Sequence, residues 1–131
     1  MEKIPTLEQA HAMIAEGEKR NPGAWVAHTI NVGKAAQSIA EHHPELDPDV
    51  AYIVGCLHDI GRREGITDMR HILDGYHFLN NQGFEDAARI CLTHSFAIQN
   101  INAVAGKWDC TPEEKQFIEN YLQEIDYTPY D

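Results

Sequence analysis

The sequence predicts an all-α protein, a single-domain helical bundle of about six helices spanning residues 1–131. Three observations carry that reading. Apolar residues recur at helical spacing in segment after segment, and no stretch shows the period-two alternation of a half-buried strand. Residues that start and stop helices also punctuate the chain at matching places.

Thr6-Leu7-Glu8-Gln9 has the form of a capping box, and Leu7, Ala10, Met13 and Ile14 then share one face up to the Asn21-Pro22-Gly23 turn. A second helix is predicted from Ala24 to about His43, with Val32, Ala36 and Ile39 on its inner stripe and Pro44 as its stop. Asp47-Pro48 supplies an N-cap and an N1 proline for a third helix. That helix carries Val50, Ile53, Val54 and Leu57 at i, i+3, i+4 and i+7, with Gly61 placed to end it. A fourth is predicted from about Asp68 to Asn81-Gln82-Gly83, with Ile72, Leu73, Tyr76 and Leu79 apolar. A fifth runs from Glu85 to about Phe96. Thr111-Pro112-Glu113-Glu114 opens a sixth with Phe117, Ile118, Tyr121, Leu122 and Ile125.

Composition narrows the function. Ten Lys and Arg against 21 Asp and Glu give a net charge of −11, and no cluster of cations offsets it. Nucleic-acid affinity rests on neutralising phosphates with clustered cations, so no nucleic-acid groove is expected. A membrane-surface role falls for the same reason, and no apolar run approaches the ~20 residues that span a bilayer. The N-terminus is acidic and polar where a secretory signal is basic and then apolar, which predicts a cytoplasmic protein. Cys56, Cys91 and Cys110 lack the spacing of a disulfide framework or a metal knuckle and are read as packed thiols.

Eight histidines in this chain are its most informative feature. His28 lies one turn before Val32; His58 follows Val54 by four and precedes Asp59; His71 starts the fourth helix; His94 follows Cys91 by three. Four helices thus each aim an imidazole inward. A buried imidazole costs free energy unless its nitrogens find partners, and one shared divalent metal satisfies several at once. His11, His42 and His43 read as surface residues. His77 faces away from His71 on the same helix.

The run Cys56-Leu57-His58-Asp59-Ile60-Gly61-Arg62-Arg63, with His28 on a helix 30 residues upstream, resembles the HD superfamily of metal-dependent phosphohydrolases. The resemblance covers about Trp25 to Phe96 and onward. It implies a metal set of His28, His58, Asp59 and a distal aspartate. His71-Ile72-Leu73-Asp74-Gly75 and Leu92-Thr93-His94 are similar to the two further segments of the family's binuclear subset, which implies two metals bridged by Asp59. The distal aspartate is expected on a helix after a connecting segment, and the sequence stops at Tyr127-Thr128-Pro129-Tyr130-Asp131, where that helix would begin. The expectation is therefore that a C-terminal segment is omitted, with Asp126 ranked before Asp131 as a substitute.

The function this implies is hydrolysis of a small phosphate ester, a nucleotide by the family's habit, through attack of a metal-activated water. The cofactor is one or two divalent ions among Mn, Fe, Mg, Co, Ni and Zn. Asp59, Arg62 and Arg63 are the expected catalytic residues, the arginines because a bidentate guanidinium suits phosphate. Thr29 and Asn31 flank His28 as candidate supporting groups. Two alternatives stand beside this: a di-iron oxygenase built on the same histidine-rich constellation, and a non-catalytic regulatory module.

Overall fold

The computed structural model describes residues 1–131 as six α-helices and one 3₁₀ turn, without strands. They are α1 (Leu7–Arg20), α2 (Trp25–Ala40), α3 (Pro48–Leu57), the 3₁₀ turn Ile60–Glu64, α4 (Arg70–Asn80), α5 (Glu85–Thr93) and α6 (Pro112–Glu124). No helix is long and apolar enough to cross a membrane.

The predicted caps form. Thr6 and Thr111 each close a capping box, with Gln9 and Glu114, and Asp47 accepts from the amides of Asp49 and Val50. Each satisfies amides that the first helical turn leaves without partners. The predicted ends run long: α2 stops at Ala40, α5 stops at Thr93, and α3 stops at Leu57, before Gly61. The His58-Asp59 pair therefore sits at a corner between α3 and the 3₁₀ turn, from which its side chains can face several helices.

Two apolar clusters hold the bundle together. One joins Ala10, Met13 and Ile14 of α1 to Ile53, Val54 and Leu57 of α3 and to Ala87, Ala88 and Cys91 of α5. The other gathers Ile72 and Leu73 of α4, Leu92 and Phe96, and Ile118 and Leu122 of α6. Burying a side chain of this size contributes about 1.5–3 kcal/mol.

Close backbone approaches set the distances between helices. Gly33 of α2 meets Gly55 of α3, where a Cβ added at Gly55 would lie 2.8 Å from Gly33 Cα. A Cβ at Gly61 would lie 1.9 Å from the His71 carbonyl oxygen and 2.6 Å from the Gly75 nitrogen. The first approach seats α2 on α3, and the second seats the 3₁₀ turn on α4. On α2 this corrects the predicted inner stripe. The face turned to the core is Val26, Thr29, Gly33 and Ala40, because the glycine contact draws that side against α3. Val32 and Ala36 are only half-buried and Ile39 is 64% exposed.

Candidate metal centre

Asp59 is buried at the corner after α3, and four imidazoles converge on its carboxylate. Nε2 of His28 and of His58 each lie 3.2 Å from Oδ2. On the other oxygen, Oδ1, Nε2 of His71 lies at 3.2 Å and Nε2 of His94 at 3.5 Å. The five residues thus divide into two three-donor groups, His28–His58–Asp59 and Asp59–His71–His94, that share the carboxylate. The ring centroids of His28 and His58 are 5.3 Å apart, and those of His71 and His94 are 5.4 Å apart.

The backbone fixes three of these rings in one tautomer. Nδ1 of His58, His71 and His94 donates to the carbonyl three residues earlier: Gly55 at 2.6 Å, Asp68 at 2.6 Å and Cys91 at 2.9 Å. A carbonyl oxygen only accepts, so Nδ1 carries a proton and Nε2 is the nitrogen turned toward Asp59. The Thr29 hydroxyl donates to the Cys56 carbonyl at 2.8 Å and lies 3.3 Å from His58 Nδ1, tying α2 to the end of α3.

Electrostatics favour the ligating protonation states. Burial alone would raise the Asp59 carboxyl, but hydrogen bonds from His58, His71 and His94 override it and hold it far below the usual carboxylate range. Burial pushes His94 below its ordinary value against the pull of Asp59. Each Nε2 lies 3.2–3.5 Å from a carboxylate oxygen, so a cation that displaced the shared proton would find both atoms within reach. Imidazole plus carboxylate is a donor set for first-row divalent metals. The residues fit one ion in each group.

A family model for the HD domain matches residues 25–127. The chain belongs to the HD domain family. No curated protein and no solved structure gave a match. Within this HD domain the structure brings His28, His71 and His94 to the His58-Asp59 pair.

Other predicted site residues lie elsewhere. Asp126 is exposed beyond α6 and belongs to neither donor group; its carbonyl accepts from Arg89. The side chain of Asp131 is buried, but its carboxylate is engaged by Arg89 and by Thr93 Oγ1 at 2.8 Å. Arg63 is also buried. It pairs with Glu16 and Glu64 through its two terminal nitrogens and stacks over Phe78 at 4.0 Å, an arrangement that fastens α1 to the 3₁₀ turn and keeps the guanidinium buried. Arg62 turns to the carbonyl of Thr67. His28 is corrected in its exposure: its side chain is 56% exposed at the mouth of the centre and does not enter the core.

A cavity of about 380 Å³ opens onto the centre and is lined by His28, His58 and His94 together with Val32, Ala36 and Ile39. No Lys, Arg, Asp or Glu lines it. The stripe predicted to pack inward on α2 is therefore one wall of this cavity. Two features escaped sequence reasoning. Gly61 reads as a helix stop but marks the contact with α4, and Asp109, in the loop before α6, accepts from two amides at the start of α4. The signal for the first was the pair of glycines at 61 and 75, one just after each ligand segment begins.

Proposed function

We propose that this HD domain is a metal-dependent phosphohydrolase acting on a small phosphate ester, with nucleotides as the leading class. The observation that carries the reading is the division of four imidazoles between the two oxygens of one buried carboxylate. His28, His58 and Asp59 would hold one divalent ion, and His71, His94 and Asp59 a second. Bound there, such ions supply positive charge for a phosphoryl oxygen and lower the pKa of a coordinated water.

The chain's own part is positional. Asp59 spaces the two donor groups, and the carbonyls of Gly55, Asp68 and Cys91 keep three rings oriented for ligation. The apolar cavity beside His28 suits the uncharged body of a substrate whose phosphate lies over Asp59. With no cationic side chain in the lining, phosphate recognition falls on the metal centre.

A second reading is supported by one particular feature, the excess of imidazole over carboxylate: four histidines to one aspartate, a histidine-rich set that also suits iron and dioxygen chemistry. One experiment separates the two. Protein loaded in turn with Mn, Fe, Co, Mg, Ni and Zn is assayed for phosphate release from nucleotides and sugar phosphates, and for oxygen consumption with iron. Release that disappears in Asp59→Ala supports hydrolysis. Oxygen uptake with no ester cleaved would replace it with the oxygenase reading.

A further inference from the structure

We propose that Asp109, far from the centre in sequence and in a loop before α6, is a positioning residue for the metal ligand His71. The inference rests on the metal-site reading above. Three consecutive amides at the start of α4 are held by the segment 107–109. Asp109 Oδ2 accepts from the amide of Asp68 at 2.8 Å, Asp109 Oδ1 accepts from the amide of Arg70 at 2.8 Å, and the Lys107 carbonyl accepts from Met69 at 3.1 Å.

The N-cap position of α4 is Met69, whose side chain cannot accept a hydrogen bond, so the helix draws its cap from 39 residues away. Asp68 is the pivot. Its amide is bound by Asp109, and its carbonyl takes the Nδ1 proton of His71 at 2.6 Å. The same ring presents Nε2 to Asp59 Oδ1 at 3.2 Å. Asp109 therefore fixes the peptide that fixes the tautomer and direction of one ligand. Arg62 braces the same segment through the Thr67 carbonyl. His58 does not depend on this segment, since the groups bound to it come from α2 and α3, and His28 is carried by α2 itself. An acidic side chain at a helix N-terminus also complements the helix dipole, and binding by the two amides holds the Asp109 carboxyl below its usual range against the effect of burial.

The test compares Asp109→Ala, Asp109→Asn and Thr111→Ala in the full chain. Thr111→Ala removes the α6 cap in the same segment and serves as the control for a merely structural loss. The first readout uses metal-free protein: long-range ¹H–¹⁵N spectra report which nitrogen of His71 carries the proton. The second is a Co(II) titration followed by absorption. Asp109→Ala is expected to turn the His71 signal from a single Nδ1–H form to a tautomer mixture. It should also weaken binding at the His71–His94–Asp59 group about 10–100-fold, as is typical when a group that orients a ligand is lost. The His28–His58–Asp59 group should be unchanged. Asp109→Asn, which keeps one accepting oxygen, should fall between, and it carries the test if the alanine variant does not fold.

An unaltered His71 tautomer in the Asp109 variants, equal weakening of both groups, or the same changes in Thr111→Ala would overturn the proposal. Wild-type protein that takes up no Co(II) would instead refute the metal reading, leaving the spectra of the metal-free protein to decide the role of Asp109.

Discussion

Replacing Gly61 with alanine asks whether a backbone contact assembles half of the metal centre. The added Cβ would stand 1.9 Å from the His71 carbonyl oxygen and 2.6 Å from the Gly75 nitrogen. Both are main-chain atoms of α4, so no side-chain rotation relieves the overlap. Regaining an ordinary contact requires the 3₁₀ turn and α4 to part by roughly 1.5 Å, the gap between 1.9 Å and the 3.4 Å lower edge of normal packing. Directed along the line to Asp59, that displacement would carry His71 Nε2 from 3.2 Å to roughly 4.7 Å from Oδ1. Overpacking of a closed core costs about 1–3 kcal/mol, and a clash of main chain against main chain belongs at the upper end. In a domain of this size about 3 kcal/mol lowers the melting temperature by roughly 10 °C. Thermal unfolding and a Co(II) titration on the same sample provide the assay. The expected result is a lower melting point together with weakened binding at the His71–His94–Asp59 group and retained binding at the His28–His58–Asp59 group. A Gly61→Ala protein with wild-type melting and both groups intact would show that this backbone contact does not assemble the centre.

Other predictions follow from the same geometry. Asp59→Ala removes the carboxylate common to both donor groups, so metal content measured after desalting should fall to background, with phosphate release lost alongside it. Arg63→Ala should cost about 1–3 kcal/mol in denaturant unfolding, because it removes a buried guanidinium paired with Glu16 and Glu64 and stacked on Phe78, yet leave metal content unchanged. Glu114 is held down to about 2 by Arg70 and by the amide of Thr111. Its folded value lies below its unfolded one, so the stabilisation is full above about pH 4.5 and is lost as the pH falls toward 2. Glu114→Gln should accordingly flatten the stability profile, followed by circular dichroism, across that window.

The helices and most of the candidate donor cluster were legible because both depend on local spacing. Thr6, Asp47 and Thr111 act on amides two or three residues away, and the pairing of His58 with Asp59 needs no knowledge of tertiary contacts. What the sequence left hidden depends on residues brought together from a distance. The inner face of α2 follows from the Gly33–Gly55 approach, which turns Thr29 to the core and leaves Val32, Ala36 and Ile39 as a cavity wall. Arg63 has the chemistry of a phosphate binder, but Glu16 of α1 reaches it from 47 positions away. Asp109 is joined to α4 only once the loop before α6 folds back across Phe96, where Trp108 stacks at 6.3 Å. A charge-bearing side chain advertises its chemistry in sequence, and its commitments become visible only in three dimensions.

Anomalous diffraction from crystals of the protein grown with Mn or Co examines the centre most directly. A metal peak is expected on each side of the Asp59 carboxylate, one ligated by His28 and His58 and the other by His71 and His94. Metal bound away from Asp59, or a saturated crystal with nothing between that carboxylate and the four rings, would contradict it.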